Sequence, residues 1–566
     1  MNIIEGIPAA VPDECVVALD TEFFGQTKGS LHRPHGTFAC LSACFDGKNV
    51  FQIYKETEIP VMLKAFDKHT WVFHNALYDI RQMMRYARIK PRFIWDTMLV
   101  EQAMFGGYYQ NFALDDLVRR YLNRTMNKDV REDFSSNQTM TKKMREYAAR
   151  DAMDTWHVAL KQSAFSDDLS FGAYENIDSK MIFPILDMPG MMVDVERWKV
   201  MVASFQKKGL EVEGRLGINV SSPLQVLKEA EKHKIFLDNT RAETLKEYKT
   251  YPFIAGVLEA RMYKKAYSTY GTKWLNNFVE EDGKVYSNYH ITGTETGRMS
   301  ASNPNMQQIP ARNLPEYRQC FIASPGNVLL VADVVQQEPC ILAYESQDME
   351  LIRAIKQGED LHLAVARAIF NDPKMKKEDP RRAIGKTINL GTAYGLSEFG
   401  LAVRLGITEQ EAARFLQQYF SRFKDVFLWI SNKRITAYRD GYVKTVSGRK
   451  IHINPYSNQW RNNAINAPIQ GGAADFTKLW VYQMWEMIKK AKLPFTLVAI
   501  VHDEVVLDVS ADLLKKTKEI MQKSFDDTAK KLFPGIPFRM EMEQGRSWAC
   551  KQLSSEIVEV DDETAS

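Results

Sequence analysis

The sequence lacks the features that would place it in a membrane or in a disulfide-stabilised protein. Its six cysteines are scattered over 566 residues without metal-ligand spacing, which favours a reducing compartment. It has no apolar run of about 18 residues, and its N-terminal segment lacks the basic and apolar layout of a signal peptide. We therefore expect a soluble, intracellular protein without membrane contact.

Low-complexity tracts and a large excess of one charge are also lacking. The formal net charge of +3 excludes a histone-like wrapper, but a nucleic-acid enzyme with local basic and acidic surfaces remains compatible with it. Hydrophobic residues make up 45% of the chain. At this length we expect about three to five structural units rather than a single core.

The first informative region carries four acidic side chains on predicted secondary structure. The apolar run before Asp20 and Glu22 predicts a buried strand, and side chains two residues apart in a strand share a face. Asp79 follows a predicted strand and turn, and Asp151 lies in a predicted helix one turn after Tyr147. Clustered carboxylates repel unless a cation neutralises them, and oxygen ligands suit Mg²⁺ or Mn²⁺. Two such ions could activate a water against a phosphodiester.

These residues occur in the motifs DTE (20–22), HNALYD (74–79) and YAARD (147–151), which resemble DEDD-type 3′–5′ exonuclease domains with a tyrosine in the third motif. The resemblance implies an RNase H-like exonuclease domain over residues 1–170. The implied metal ligands and catalytic acids are Asp20, Glu22, Asp79 and Asp151, with Tyr147 as a further catalytic residue. We interpret Asp96 as structural and Asp154 as a neighbour of the site.

The next region combines basic helices with a polar segment. Residues 207–274 are predicted to be helical and rich in Lys and Arg, which indicates either a solvated face or contacts with a nucleic-acid backbone. The following segment, 289–310, carries one arginine and several amide side chains that could read minor-groove acceptors common to all base pairs. An ordinary polar loop is the alternative.

Two further acids flank a predicted cationic helix. Asp333 ends one predicted strand and Asp503 lies in a turn between two others, so both could hold metal ions. The helix is predicted over 379–395, with Asp379 as its cap and Gly395 at its end. One face of this helix presents a residue at every fourth position, namely Arg382, Lys386, Leu390 and Tyr394. Such a face could bind a nucleotide triphosphate, sugar and base, or it could simply be solvated.

Residues 180–550 resemble a family A DNA polymerase. The matching motifs are TGRMSASNPNMQQIP (296–310), DVVQQE (333–338), RRAIGKTINLGTAYG (381–395), NAINAPIQGGAAD (463–475) and VHDE (501–504). The resemblance implies a multidomain α/β and α+β protein, with a right-hand polymerase domain over 171–566 after the exonuclease domain. Within it we expect a thumb at about 195–290, a palm at about 291–345 and 465–566, and fingers at about 346–464.

The resemblance also implies individual roles. Asp333, Asp503 and the Val334 carbonyl would hold two Mg²⁺ ions, which Mn²⁺ could replace, and Lys386 would protonate the leaving pyrophosphate. Glu338 would exclude a ribose. The implied dNTP-binding residues are Val334, Gln336, Glu338, His362, Arg382, Lys386, Leu390 and Tyr394. The implied DNA contacts are Arg298, Asn305, Gln307, Gln308, Asn466, Gln470, His502 and Glu504.

We therefore expect a DNA-dependent DNA polymerase that extends primers with dNTPs and proofreads with a 3′–5′ exonuclease. It would act as a monomer on primer–template DNA, with a helicase, primase or processivity factor as a further partner. Only 19 residues precede Asp20, so we expect no 5′-nuclease domain and interpret the chain as a replicative, viral enzyme of the host cytoplasm. Open alternatives are a single-subunit RNA polymerase-like enzyme, a repair or translesion polymerase, an inactive nucleic-acid scaffold, and a nuclease with secondary extension activity.

The chain departs from the family pattern at several positions. Val334, Val335 and Gln337 stand beside the first polymerase acid where other residue types are usual. Leu390 occupies a position where Phe or Tyr is usual, which predicts altered dideoxynucleotide selection. The acidic C-terminal segment 554–566 is expected to be mobile.

Overall fold

A computed structural model describes residues 1–25, 36–89, 91–127, 129–311, 313–393 and 395–550, apart from the side chains of Leu390 and Ala393. The acidic C-terminal segment lies outside these residues. Among the helices of the described residues, none combines the length and hydropathy needed to cross a lipid bilayer.

The first part of the chain is built on a six-stranded mixed sheet. Its strands are β1 (Asn2–Glu5), β2 (Val16–Phe24), β3 (Thr37–Cys44), β4 (Asn49–Ile53), β5 (Thr70–Phe73) and β6 (Phe93–Asp96). Their order is β1-β4-β3-β2-β5-β6, with β2 antiparallel to β3 and parallel to β5. The buried β2 confirms the strand predicted before Asp20 and Glu22, and its central position makes both acids part of the rigid scaffold.

Within the described residues, six α-helices accompany this sheet. They are α1 (Ile59–Ala65), α2 (Ala76–Met83), α3 (Thr97–Phe105), α4 (Leu114–Leu122), α5 (Asp133–Ser136) and α6 (Lys142–Gln162). The longest, α6, begins where the Thr141 side chain accepts a hydrogen bond from the Met144 N–H, an N-cap of the usual kind. It packs against β2 and β3, which brings its own side chains close to those of β2.

A helical connection follows and leads to a bundle. Its elements are α7 (Leu169–Ala173), α8 (Ile182–Leu186), β7 (Met191–Val193), α9 (Val195–Leu216), α10 (Pro223–Lys232), α11 (Ala242–Glu247), α12 (Pro252–Thr269) and α13 (Thr272–Phe278). The long helices α9 and α12 pack side by side. The rings of Trp198 and Trp274 stack with centroids 4.5 Å apart. The Trp198 ring also lies 5.6 Å from that of Phe321, which joins the bundle to the strands that follow.

The second sheet lies in the C-terminal half. The remaining strands are β8 (Lys284–Val285), β9 (Asn288–His290), β10 (Ser300–Ser302), β11 (Phe321–Ile322), β12 (Asn327–Val335), β13 (Tyr442–Lys444), β14 (Lys450–His452), β15 (Leu497–Val501), β16 (Glu504–Ser510) and β17 (Arg539–Gly545). Four of them form an antiparallel sheet in the order β15-β16-β12-β17. The apolar β12 is central, as its continuous run of Val and Leu predicts.

The C-terminal half also contains ten α-helices within the described residues. They are α14 (Glu316–Gln319), α15 (Gln337–Ser346), α16 (Met349–Lys356), α17 (Leu361–Ile369), α18 (Arg382–Ala393), α19 (Glu398–Leu405), α20 (Glu409–Arg422), α21 (Lys424–Asp440), α22 (Trp460–Lys490) and α23 (Leu514–Leu532). The mixed α/β character predicted from the sequence is therefore confirmed.

A buried ion network joins the connection after α7 to the second half. Arg449 donates to Asp178 at 2.8 Å and to Asp475 at 2.7 Å, and Lys478 donates to Asp178 at 2.6 Å. All four side chains are buried, and the two cations balance the two carboxylates. Removing one partner of such a buried pair typically costs about 3–5 kcal/mol, so we expect the network to fix the position of the connection against α22 and β14.

Candidate active sites

Four carboxylates lie close enough to repel one another beside the first sheet. Asp20 and Glu22 lie on β2, Asp79 on α2 and Asp151 on α6. Burial and repulsion from the other three acids raise the pKa of Asp20 well above its usual range. Burial, with repulsion from Asp151 and Asp79, does the same to Glu22, and burial raises the pKa of Asp79 to about 7. The structure thus brings together the four acids predicted from the sequence and leaves them mutually repelling.

The oxygen atoms of these four carboxylates are of the type that divalent cations such as Mg²⁺ bind. Asp20 Oδ2 is buried and accepts no hydrogen bond from any described residue, although buried carboxylate oxygens normally have a partner. One oxygen of Asp79 is already bound by the Thr21 N–H and hydroxyl, at 2.9 and 2.7 Å. Within the described residues no three His, Cys, Asp or Glu side chains form a ready-made metal site.

Two further residues border this cluster. Tyr147 lies one turn before Asp151 on α6, and burial and the nearby Asp151 raise the pKa of its phenol, which stays protonated. Arg131, in a short helical turn at 129–132, lowers the pKa of Asp20 and Glu22 against the larger effect of burial. Sequence reasoning missed Arg131 because it lies in a connection without any periodic pattern.

The neighbouring acids have structural roles. Asp96 caps α3 by accepting from the Met98 and Leu99 N–H groups and also binds the turn before α2. Asp154 is buried and forms an ion pair with Arg124. The structural interpretation of Asp96 is confirmed.

A second pair of acids meets on the second sheet. Asp333 lies near the end of β12, and Asp503 lies in the tight turn between β15 and β16. His502 begins that turn with a left-handed φ of 59°, and the Val334 N–H donates to the Asp503 carbonyl at 3.3 Å. Burial, followed by repulsion from Asp333, raises the pKa of Asp503 to about 6. Asp333 and Asp503 therefore lie at the same end of the second sheet.

A cavity of about 340 Å³ opens beside Asp503. Many of its lining residues are ones that the sequence marked: Arg298, Gln307, Gln336, Glu338, His502 and Asp503. Arg298 Nη2 donates to Glu338 Oε1 at 2.7 Å across this cavity. The residues expected to contact DNA and to exclude a ribose therefore contact each other here.

Glu504 is bound by two neighbouring side chains. Both of its oxygens accept from Arg318 Nη1, at 2.9 and 3.1 Å, and Trp548 Nε1 donates to Oε1 at 2.8 Å. The side chain is buried in this pair rather than turned toward a groove. Glu504 is thus held by Arg318 and Trp548 beneath the turn that carries Asp503, and its predicted DNA contact stays a prediction.

The predicted amide contacts are distributed over two elements. Asn305 caps the short helical turn 306–308 with its side chain, and the Gln307 amide donates to the Met299 and Ile500 carbonyls at 3.4 Å. Gln308 is exposed. Asn466 and Gln470 lie four residues apart on α22, and Asn466 Oδ1 is buried without a hydrogen-bond partner among the described residues.

The cationic helix α18 packs against α17. Arg382 donates from Nε to Asp360 Oδ2 at 2.7 Å, so this guanidinium is held in place by a carboxylate that sequence reasoning missed. Burial, Arg382 and Lys386 lower the pKa of His362, while Asp360 opposes them. The structure therefore brings His362, Arg382 and Lys386 together as a basic group.

Both ends of this helix can be compared with the prediction. The helix begins at Arg382 rather than at Pro380, and a tight turn leads into it, in which the Asp379 side chain accepts from the Arg381 N–H and pairs with the Arg381 guanidinium. Gly395 has a φ of 70°, as predicted for the end of the helix. Tyr394 and the side chain of Leu390 lie outside the described residues, so their predicted roles stay predictions.

Gly385 allows the close approach of α17 and α18. A Cβ at this position would lie 2.2 Å from the His362 carbonyl oxygen, which is backbone and cannot move aside. Replacing Gly385 by Ala should displace α18, and under the predicted role of this helix in nucleotide binding it should lower kcat/KM about a hundredfold, because small misplacements of binding groups are costly. Steady-state incorporation kinetics measure this. The matched control is Gly214→Ala on α9, where a Cβ meets open space, and equal kinetics for both variants would contradict the argument.

Comparison with known proteins agrees with this geometry. Residues 197–550 match the model of DNA polymerase family A, and residues 4–161 match a 3′–5′ exonuclease model. The polymerase match covers the second carboxylate pair and α18, and the exonuclease match covers the four-acid cluster. The two groups of acids thus fall in two separate family regions.

The curated relatives of this chain include bacterial DNA polymerases I. The chain is 30% identical over 401 residues to that of Caldicellulosiruptor bescii, covering 66% of this chain and 47% of the relative. It is 29% identical over 521 residues to that of Rhizobium leguminosarum, covering 84% and 50% respectively. The chain therefore spans about half the length of these relatives.

A solved structure has a similar fold. The polymerase domain of Pol1 from M. smegmatis, in complex with a DNA primer-template and dNTP, superposes with a TM-score of 0.81 and 25% identity. The alignment covers 96% of this chain and 97% of that one. The predicted fold class, an exonuclease domain followed by a family A polymerase domain, is confirmed. This chain belongs to DNA polymerase family A and carries a 3′–5′ exonuclease domain ahead of its polymerase region.

Proposed function

We propose that this chain is a template-directed DNA polymerase that extends a primer 3′ end with dNTPs and removes mismatched ends with its 3′–5′ exonuclease. The observation that carries the proposal is the meeting of Asp333 and Asp503 at one end of the second sheet, beside a cavity lined by predicted substrate contacts. The separate four-acid cluster on the first sheet supports the nuclease activity.

The polymerase chemistry follows from the residues present. Bound divalent ions, Mg²⁺ or Mn²⁺, would supply Lewis acidity at the phosphates and at the primer 3′ oxygen. Asp333 and Asp503, with the Val334 carbonyl, would hold those ions. Arg382 and Lys386 would bind the triphosphate, and Lys386 would donate a proton to the leaving pyrophosphate.

The exonuclease chemistry uses the first cluster. Asp20, Glu22, Asp79 and Asp151 would hold two divalent ions, whose charge offsets the repulsion that burial makes so large. The neutral Tyr147 phenol would orient the attacking water. Arg131 would offset negative charge from the DNA beside these acids.

We also propose domain limits and a cellular role for this chain. We keep 1–170 for the exonuclease domain and 171–566 for the polymerase domain, with the thumb, palm and fingers as predicted. We also keep a monomeric enzyme with primer–template DNA as its partner and a role in replication. The relatives named above are bacterial, so the predicted viral origin and the partner proteins have no support from them.

Sugar selection tests the proposal against an RNA polymerase-like enzyme. On a primed DNA template, dNTPs should be used at least about a hundredfold better than rNTPs, because Glu338 borders the cavity. Glu338→Ala should reduce that preference while leaving primer extension measurable. Equal use of rNTPs and dNTPs by the unaltered protein would contradict the proposal.

Leu390 should set the response to dideoxynucleotides. A phenyl ring in place of Leu at a position beside the incoming sugar should favour a 3′-OH and raise discrimination against its absence by roughly tenfold. We expect Leu390→Phe to reduce dideoxynucleotide incorporation, and Leu390→Tyr, whose hydroxyl can fill the missing group's space, to increase it. Competitive incorporation of dNTP and ddNTP measures both. Unchanged ratios in the two variants would show that position 390 does not contact the sugar.

A further inference from the structure

A buried cluster of three side chains lies beneath the turn that carries Asp503. It consists of Arg318 on α14, Glu504 at the start of β16 and Trp548 in the segment after β17. Arg318 and Glu504 are 8% exposed, and Trp548 is 1% exposed. Arg318 Nη1 and Trp548 Nε1 both donate to Glu504 Oε1, at 2.9 and 2.8 Å. The Arg318 guanidinium also lies over the Trp548 ring at 4.1 Å, so each of the three side chains contacts the other two.

Stability alone does not account for a charged pair at this place. Burial removes both charges from water, and a buried ion pair is often no more stabilising than apolar side chains of similar volume. The surroundings are apolar, since Trp548 packs against Phe321 with ring centroids 5.5 Å apart in a core that includes Val331 and Val506. The charged pair is therefore better explained by the geometry that it imposes on Glu504.

Glu504 connects this cluster to the two acids of the second sheet. It is the first residue of β16, and it is paired in register with Asp333 on β12 and with Val501 on β15. The turn before it contains only His502 and Asp503, and His502 has a left-handed φ of 59°. A residue other than glycine keeps such a conformation only where surrounding contacts hold it. Fixing the Glu504 side chain thus restricts the turn and the direction of the Asp503 side chain.

The other two members of the cluster are held by their own segments. The Trp548 N–H donates to the Phe321 carbonyl at 2.9 Å, and the Ala323 N–H donates to the Arg546 carbonyl at 3.0 Å. The segment after β17 is therefore bound alongside β11, and α14, which carries Arg318, lies just before β11 in the chain. The cluster thus joins the segment after β17 to the turn between β15 and β16.

We infer that Arg318 and Trp548 are positioning residues of the polymerase site, which act through Glu504 to hold the turn so that Asp503 is directed toward Asp333. The inference rests on the proposed polymerase function and adds to it two residues that do not line the active-site cavity. Side chains that hold a divalent ion must be oriented within narrow limits, and the groups that orient them commonly contribute about 10- to 100-fold to metal affinity or activity.

Trp548→Phe tests this inference with a small change. The phenyl ring keeps most of the packing and the contact with Arg318, but it cannot donate a hydrogen bond to Glu504. We expect kcat for extension of a matched primer to fall about tenfold, while KM for the dNTP stays within about twofold. Titration with Mn²⁺, followed by electron paramagnetic resonance in proteins that also carry Asp20→Ala, should show about tenfold weaker binding to the complex with primer–template.

Trp71→Phe is the matched control. Trp71 is also 1% exposed, and its Nε1 donates to the Phe66 carbonyl at 2.7 Å, but it lies on β5 of the first sheet. Its loss of one buried indole hydrogen bond should leave kcat for extension and Mn²⁺ binding at the second site unchanged.

Arg318→Lys is a second variant, which keeps the positive charge but loses the planar guanidinium, and it should reproduce the loss in kcat. If Trp548→Phe is unfolded at the assay temperature, Arg318→Lys decides the question. The inference is overturned if the folded variants keep full kcat or full Mn²⁺ affinity, if KM rises while kcat is unchanged, or if Trp71→Phe shows the same loss. Failure of the unaltered protein to extend any primer would instead contradict the proposed function itself.

Discussion

Replacing Asp503 by Asn should reduce primer extension at least about a thousandfold, because the amide cannot hold a divalent ion at the turn where Asp333 and Asp503 meet. The side chain keeps its size, and its burial next to Asp333 already disfavours the charged form, so the fold should persist. Single-turnover extension of a matched primer measures the loss. Excision of a single strand should change by less than about twofold, because its acids lie on the other sheet.

The control for this variant is Asp512→Asn. Asp512 is an exposed acid nine residues further along the chain, in the helical turn 511–513. Asp512→Asn removes the same charge as Asp503→Asn, but Asp512 lies away from the turn that carries Asp503. Normal extension by Asp503→Asn, or equal losses in both variants, would remove Asp503 from the proposed metal site.

The second large effect is expected at the other site. Asp20→Ala should reduce 3′ excision at least about a thousandfold while extension stays within about twofold of the unaltered protein. In the presence of EDTA the variant should also melt at a higher temperature, because it removes a buried carboxylate that repels Glu22, Asp79 and Asp151. Gel-based excision assays and thermal melts measure the two effects.

Asp13→Ala is the matched control, an exposed acid in the segment before β2. It should leave excision and melting temperature unchanged. Loss of extension together with excision in Asp20→Ala would argue against two separate sites. A lower melting temperature of Asp20→Ala in EDTA would show that the acids do not destabilise the metal-free fold.

The sequence predicts the location of those residues whose secondary structure follows from a local pattern of apolar and polar residues. Asp20 and Glu22 follow an apolar run, and a strand must then place both on one face of the first sheet. Asp333 and Asp503 are likewise found at one end of a sheet because each follows an apolar run. Gly395 occupies the left-handed end that its residue type predicts.

Partners far apart in the sequence could not be predicted. Arg318 lies 186 residues from Glu504, and nothing local shows that the two form a buried pair. The contact of Arg298 with Glu338 spans 40 residues and depends on how the 292–298 loop meets α15. Tertiary contacts, rather than residue propensity, decide these two cases. At the start of α18 the capping role predicted for Asp379 has a local basis, since its side chain accepts from the Arg381 N–H in the turn that leads into the helix.

Primer extension with matched and mismatched 3′ ends, in Mg²⁺ and in EDTA, tests the central claim that one chain holds two separate metal-dependent sites. With Mg²⁺ and dNTPs, a matched primer should be extended directly, and a mismatched primer should be shortened before it is extended. EDTA should stop both reactions, and Asp20→Ala should leave the mismatched end in place. Extension in EDTA, or removal of the mismatch by Asp20→Ala, would contradict the claim.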